Sequence, residues 1–229
     1  RAPSFAIRKR ALRIMTLNHY VADGILTEAQ AGFLRAAVRE RLNIVVCGGT
    51  STGKTTLANA LLDEIADTGD RVMILEDTVE LQCRSDDHVC MRTEPGVSTM
   101  ADLVRATLRL RPDRVVVGEV RGGEALDLIK IWGTGHPGGI ATVHAGSAHG
   151  ALVRLEQLVQ EVSVTVPRAL IAEAVNVIVF IAGRGRHRRV QEIARVIGFD
   201  SHGYQLSTDL MPSFPSIPSP NLPTTGEPL

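Results

Sequence analysis

Asn43-Ile-Val-Val-Cys-Gly-Gly-Thr-Ser-Thr-Gly-Lys-Thr-Thr56 is the stretch whose reading decides the fold. A short β-branched run bounded by glycines reads as a buried strand, and the segment from Lys54 carries helical apolar spacing. Between them lies GxxxxGK[ST], in the strand–loop–helix context that the phosphate-cradle motif requires. Gly48, Gly49 and Gly53 let the backbone curl so that successive N–H groups face inward, and Thr50, Ser51 and Thr52 complete the loop. The helix that follows, through Thr56, aims its positive dipole end at the same anion. Lys54 supplies a cation for β- and γ-phosphates, and the Thr55 hydroxyl is a ligand for Mg²⁺. The expected ligand is ATP with Mg²⁺, held by Gly48, Gly49, Thr50, Ser51, Thr52, Gly53, Lys54, Thr55 and Thr56.

Outward from the loop, short apolar runs alternate with helical segments. Strands are predicted at 43–47, 71–75, 115–117, 139–143, 175–181 and 190–197. Helices are predicted at 27–42, 54–67, 99–111, 123–132, 147–160 and 167–174. Such alternation implies crossovers and an α/β fold whose mainly parallel sheet carries helices on both faces. The expected organisation is a linker and helix over 1–42, remnant of an absent N-terminal domain, and an ATPase domain over 43–200. A Pro/Ser/Thr-rich tail over 201–229 is expected to be disordered. The chain opens on Arg rather than Met, as a fragment would.

Composition sets bounds on what the chain does. In 229 residues, 44% hydrophobic but 3% aromatic, the core must be aliphatic. With 25 basic and 25 acidic residues there is no net field to draw in nucleic acid, so no sequence-specific nucleic-acid binding is expected. The longest apolar run, Val177–Ala182, is far too short to span a bilayer. Cys47, Cys83 and Cys90 are too few for a disulfide framework and suit a reducing compartment.

Ligands of open α/β sheets bind beyond the carboxyl ends of the strands, and each central strand delivers a reactive group there. One ends in Glu76-Asp77-Thr-Val-Glu80, any of whose carboxylates can serve as general base. Another ends in Gly118-Glu119-Val-Arg121, with Glu119 in the place of a Walker B acid and Gly118 where many such proteins keep aspartate. A fourth ends in His144, where a γ-phosphate sensor belongs, beyond a glycine-dense stretch that also holds His136. The turn Gly183-Arg-Gly-Arg-His-Arg-Arg189 reads as a solvated hairpin loop, with a contact to partner protein or acidic lipid as the alternative.

Taken in order, the phosphate loop, the acidic box 76–80, the stretch Leu108–Glu119 and the histidine box Gly135–His144 resemble the secretion-type traffic ATPases. Among these the chain is most similar to the TrbB-type conjugal transfer ATPases. The resemblance implies a RecA-like P-loop core and an ATP-hydrolysing motor subunit of a conjugal transfer or type IV secretion apparatus, assembled as a homo-oligomeric, hexameric ring. That ring would lie at the cytoplasmic face of a bacterial inner membrane and contact inner-membrane components of the machine. It implies Glu80 as the water-activating carboxylate, with Glu76 in the same box, and Glu119 as the Walker B glutamate reaching Mg²⁺ through water. His144 would contact the γ-phosphate. Arg105, Arg109, Arg121 and His136 stand at positions able to offset phosphate charge, in part across a subunit boundary. The tetracysteine module of the type II relatives is missing, which favours the type IV branch. A type II secretion or pilus ATPase, a P-loop phosphotransferase and a non-catalytic ATP-binding scaffold are the competing readings.

Overall fold

A computed structural model of the chain describes residues 14–210. Two helices precede the phosphate-loop segment: α1 (Leu17–Ala22) and α2 (Glu28–Arg39). Each begins at a threonine, Thr16 or Thr27, whose hydroxyl accepts a first-turn N–H and whose own N–H is bonded by the residue three places on. Then come β1 (Ile44–Cys47), α3 (Lys54–Ile65), β2 (Val72–Glu76), β3 (His88–Arg92), α4 (Met100–Thr107) and β4 (Arg114–Val117). The chain continues through α5 (Glu124–Gly133), β5 (Ile140–Val143), α6 (Ala148–Gln160), α7 (Arg168–Ala174), β6 (Val177–Ala182), β7 (Arg189–Asp200) and β8 (Gly203–Ser207).

The strands form one sheet in the order β3-β2-β4-β5-β1-β6-β7-β8. Neighbours from β3 to β6 run parallel, while β7 and β8 return antiparallel. Both faces of the central strands are covered, and β1 shows how: Ile44 and Val46 enter a core with α1, α2 and α3, while Val45 and Cys47 enter one with α4 to α7. Alternate side chains point to opposite faces, so a strand buried on both sides must be apolar throughout, as Ile-Val-Val-Cys is.

Four expectations change. The helix expected over 99–111 ends at Thr107 and tightens into a 3-10 turn, Leu108–Leu110. Pro112 disfavours α geometry in the residue before it, and Arg111 swings to φ 51. Strand β3 was not expected, because on a sheet edge only its alternate positions Val89 and Met91 turn inward, too weak a pattern to read. Within the tail expected from 201, residues 203–207 instead pair with β7, and Tyr204 meets Phe199 edge-on at 5.1 Å. The remainder of that tail, 211–229, lies outside the described residues, as do residues 1–13. The segment 1–42 is more than a linker, since Leu17, Tyr20, Leu34 and Val38 are buried against the α3 side of the sheet.

Candidate nucleotide site

The carboxyl ends of β1, β2, β4 and β5 meet at one rim because these strands are parallel neighbours. Strand β1 runs into the loop 48–53. Gly48 passes so close to the Ile181 carbonyl and the Thr52 hydroxyl that a Cβ would collide with both. Thr52 Oγ1 donates to the Gly49 carbonyl at 2.9 Å and closes the loop. Ser51 holds φ 64 and Gly53 φ 95; Gly53 caps α3 without a side chain, which leaves the first N–H groups of that helix open. An open cleft of about 230 Å³ is lined by Thr50, Ser51, Gly53, Lys54, Thr55, Thr56, Glu80, Glu119 and His144. Gly48, Gly49 and Thr52 shape the loop behind it.

Charged groups on three elements join in a chain across the cleft. Lys54 Nζ donates to the Gly49 carbonyl at 3.2 Å and lies 3.3 Å from His144 Nδ1. His144 Nε2 is 2.9 Å from Glu119 Oε1, and Glu119 Oε2 accepts from Arg121 at 2.6 Å. Arg121 continues to Asp77 at 3.4 Å, and Asp77 accepts from the Thr93 hydroxyl at 2.8 Å. Burial lowers the pKa of Lys54, and the Glu119 charge partly restores it. Burial alone would raise the Glu119 carboxyl, but the Arg121 hydrogen bond and the Arg121, His144 and Lys54 charges hold it below the usual range. A phosphate entering here meets a lysine held only by a carbonyl and a half-exposed histidine.

Glu76 behaves differently from the other acids. It is 4% exposed, and its Oε1 accepts the N–H groups of Glu80 at 2.8 Å and Leu81 at 2.7 Å. That pins the turn carrying Glu80, whose carbonyl also accepts from Asn59 at 3.2 Å. Gly118 gives Glu76 its room: a Cβ there would lie 3.2 Å from Glu76 Cγ. A carboxylate arriving from β2 thus occupies the space beside Gly118. A second recess, continuous with the cleft, is lined by Thr55, Glu76, Asp77, Thr78, Glu80, Gly118, Glu119 and Arg121. The hydroxyl and carboxylate oxygens there are the hard donors that suit Mg²⁺.

Of the four groups expected to offset phosphate charge, the structure brings only Arg121 to the cleft. His136 lies before β5 and His144 after it, so they stand at opposite ends of that strand; His136 Nδ1 bonds the Pro112 carbonyl at 2.7 Å. Arg105 turns to Asp127 at 2.9 Å, and Arg109 lies exposed on the 3-10 turn. The basic turn is the solvated hairpin loop expected between β6 and β7, and it also leans on the phosphate loop. Arg184 donates to the Thr50 carbonyl at 3.3 Å, and the Arg188 guanidinium carbon lies 2.8 Å from where a Gly53 Cβ would be. The run of arginines signalled a charged surface but not what it faces, because only the pairing of β6 with β1 sets the turn beside the loop.

Fold and site together define a RecA-like P-loop nucleotide-binding domain. The family described as Type II/IV secretion system protein matches residues 2–185, and the chain belongs to it. A probable conjugal transfer protein TrbB of Sinorhizobium fredii is 51% identical over 209 residues, covering 90% of this chain and 64% of the relative. The type IV secretion system protein PtlH of Bordetella pertussis is 35% identical, covering 83% of this chain and 66% of the relative. Among solved structures, the VirB11 ATPase of the Brucella suis type IV secretion system, in complex with sulphate, superposes with a TM-score of 0.65 at 32% identity. It covers 82% of this chain and 65% of that one. The pilus retraction motor PilT with bound ADP shares the fold, with a TM-score of 0.58 at 22% identity, over 87% of this chain and 53% of its own. The chain thus spans a little under two thirds of the length of the conjugal transfer relatives it matches.

Proposed function

We propose that this domain binds and hydrolyses ATP and drives substrate transfer or pilus assembly in a conjugal transfer apparatus of the type IV secretion class. The Lys54–His144–Glu119–Arg121 chain carries the reading, because it joins the phosphate loop to the ends of two further strands. The loop N–H groups and the start of α3 receive the β- and γ-phosphates. Lys54 leaves the Gly49 carbonyl for their oxygens. The Thr55 hydroxyl and the Glu119 carboxylate would hold Mg²⁺, which would neutralise phosphate charge. Glu80 lines the cleft on a backbone held by Glu76 and is the general base for the attacking water, with Glu76 as its positioning residue. His144 touches both Lys54 and Glu119 and reports the loss of the γ-phosphate to the end of β5.

Conjugal transfer as the setting rests on the names of the relatives at about half identity. The same kinship supports a hexameric ring against inner-membrane components on the cytoplasmic side. Among the described residues no helix is long and apolar enough to cross a membrane. Arg105 and Arg109, exposed and away from this subunit's cleft, are placed to serve a neighbour's phosphates in such a ring.

The deciding experiment compares wild type, Lys54→Ala and Glu80→Gln in the full protein. Hydrolysis should be lost in both variants while Glu80→Gln still binds ATP, and neither should support conjugation. Conjugation at the wild-type level with Lys54→Ala would replace the motor by a scaffold. Turnover that depends on an added small acceptor would replace it by a phosphotransferase.

A further inference from the structure

The loop after β1 is flanked on its two sides by different chemistry. On the β5 side stand His144 and, beyond, Glu119, the groups that meet the terminal phosphate and its metal. On the other side β6 is hydrogen-bonded to β1, and its end carries the basic turn 183–189. With a γ-phosphate set toward His144, the α-phosphate and ribose are free to run across the loop toward β6.

The turn is built to lean that way. Its pairing with β7 shifts register between Phe180 and Ile181, a bulge that bends the strand end, and the Ile181 carbonyl packs on Gly48. Gly183, at φ 79, lets the turn close so tightly that a Cβ would strike the His187 carbonyl. The turn is closed by Arg188 N–H donating to the Gly185 carbonyl at 3.2 Å. Arg184 then fastens the turn to Thr50. Arg188 lays its guanidinium against Gly53, the cap of α3, and its Nε is buried with no hydrogen-bond partner among the described residues. A cation beside the positive end of a helix is unfavourable by itself and becomes favourable once an anion bridges the two.

Resting on the reading of the loop as an ATP site, we infer that Arg188 is a nucleotide-binding residue for the α-phosphate and ribose, with Arg184 as the strut that positions its turn. Arginine's planar fork suits a phosphate oxygen and a sugar hydroxyl together.

The test uses the full protein with Arg188→Ala, Arg188→Lys, Arg184→Ala and Lys54→Ala, titrated calorimetrically with ATP and with inorganic pyrophosphate. Arg188→Ala should weaken ATP by about tenfold or more, the loss of one charge-assisted contact, and leave pyrophosphate binding unchanged. Arg188→Lys should fall between it and wild type, and Arg184→Ala should show a smaller loss of the same selectivity. Lys54→Ala should weaken both ligands. In turnover, Arg188→Ala should raise KM for ATP with kcat nearly kept. Equal loss of ATP and pyrophosphate in Arg188→Ala and Arg188→Lys would mean a collapsed loop and overturn the inference, as would ATP affinity equal to wild type. If wild type binds neither ligand, the parent reading of the loop fails instead.

Discussion

At the residue scale, the site is a set of carboxylates given different tasks by their surroundings. Glu119 is charged, paired and only a fifth exposed; its folded pKa lies below the ordinary value. A depressed carboxylate stabilises the fold fully above its unfolded pKa of about 4.3 and loses that contribution as pH falls through the folded value. Glu119→Gln should therefore be less stable than wild type at pH 7 by no more than about 1 kcal/mol, because Arg121 is exposed to solvent. The gap should close in urea melts on acidification below about pH 4. Gly118→Ala addresses Glu76: a methyl 3.2 Å from Glu76 Cγ makes that side chain give way by a few tenths of an ångström and strains its bonds to the N–H groups of Glu80 and Leu81. Chemical melts should show a cost of about 1–3 kcal/mol, with turnover falling further than ATP affinity. Burial pushes the Cys47 thiol up to about 12, so at pH 8 a thiol reagent should label exposed Cys90 well before Cys47 in the folded protein.

At the scale of elements, the edge of the sheet opposite the cleft is tied by buried polar groups. Arg114, 1% exposed at the start of β4, donates to Asp70 at 2.5 Å and to the Val38 and Gly138 carbonyls. Asn43, at the foot of β1, bonds the Ala174 carbonyl and the Gly139 N–H. The glycines of the histidine box are explained here. Gly139 lies where a Cβ would strike Trp132, whose ring N–H bonds the Val115 carbonyl at 3.1 Å, and Gly138 takes φ 85 against Arg114. They serve close packing at the foot of β5, while His144 at its head serves the site. Arg114→Met leaves Asp70 and two carbonyls short of a partner and should lower stability by about 3 kcal/mol in denaturant melts. ATP affinity per folded molecule should change little, since this edge is remote from the cleft.

At the scale of the whole molecule, β7 and β8 complete the sheet. Ending the chain at residue 200 would remove β8 and bare the half of β7 it pairs with, Arg195 to Asp200, and a newly opened edge invites pairing with other chains. Such a truncation should melt at a lower temperature and elute in light scattering as larger species, although every cleft residue is retained. The sequence read from 43 to 56 carried the phosphate loop, because its glycines, lysine and threonine act through local backbone geometry that needs no distant partner. Periodicity likewise carried the buried parallel strands, since a strand covered on both faces has no choice but to be apolar. What the tertiary structure alone decided were the pairings between segments far apart in sequence. Glu76 fills the space beside Gly118, His136 is at the end of β5 away from the cleft, and Arg184 and Arg188 lie on the phosphate loop. Strand order sets these, and strand order follows from how the helices cover the two faces, a balance of burial over the whole chain that no single segment spells out.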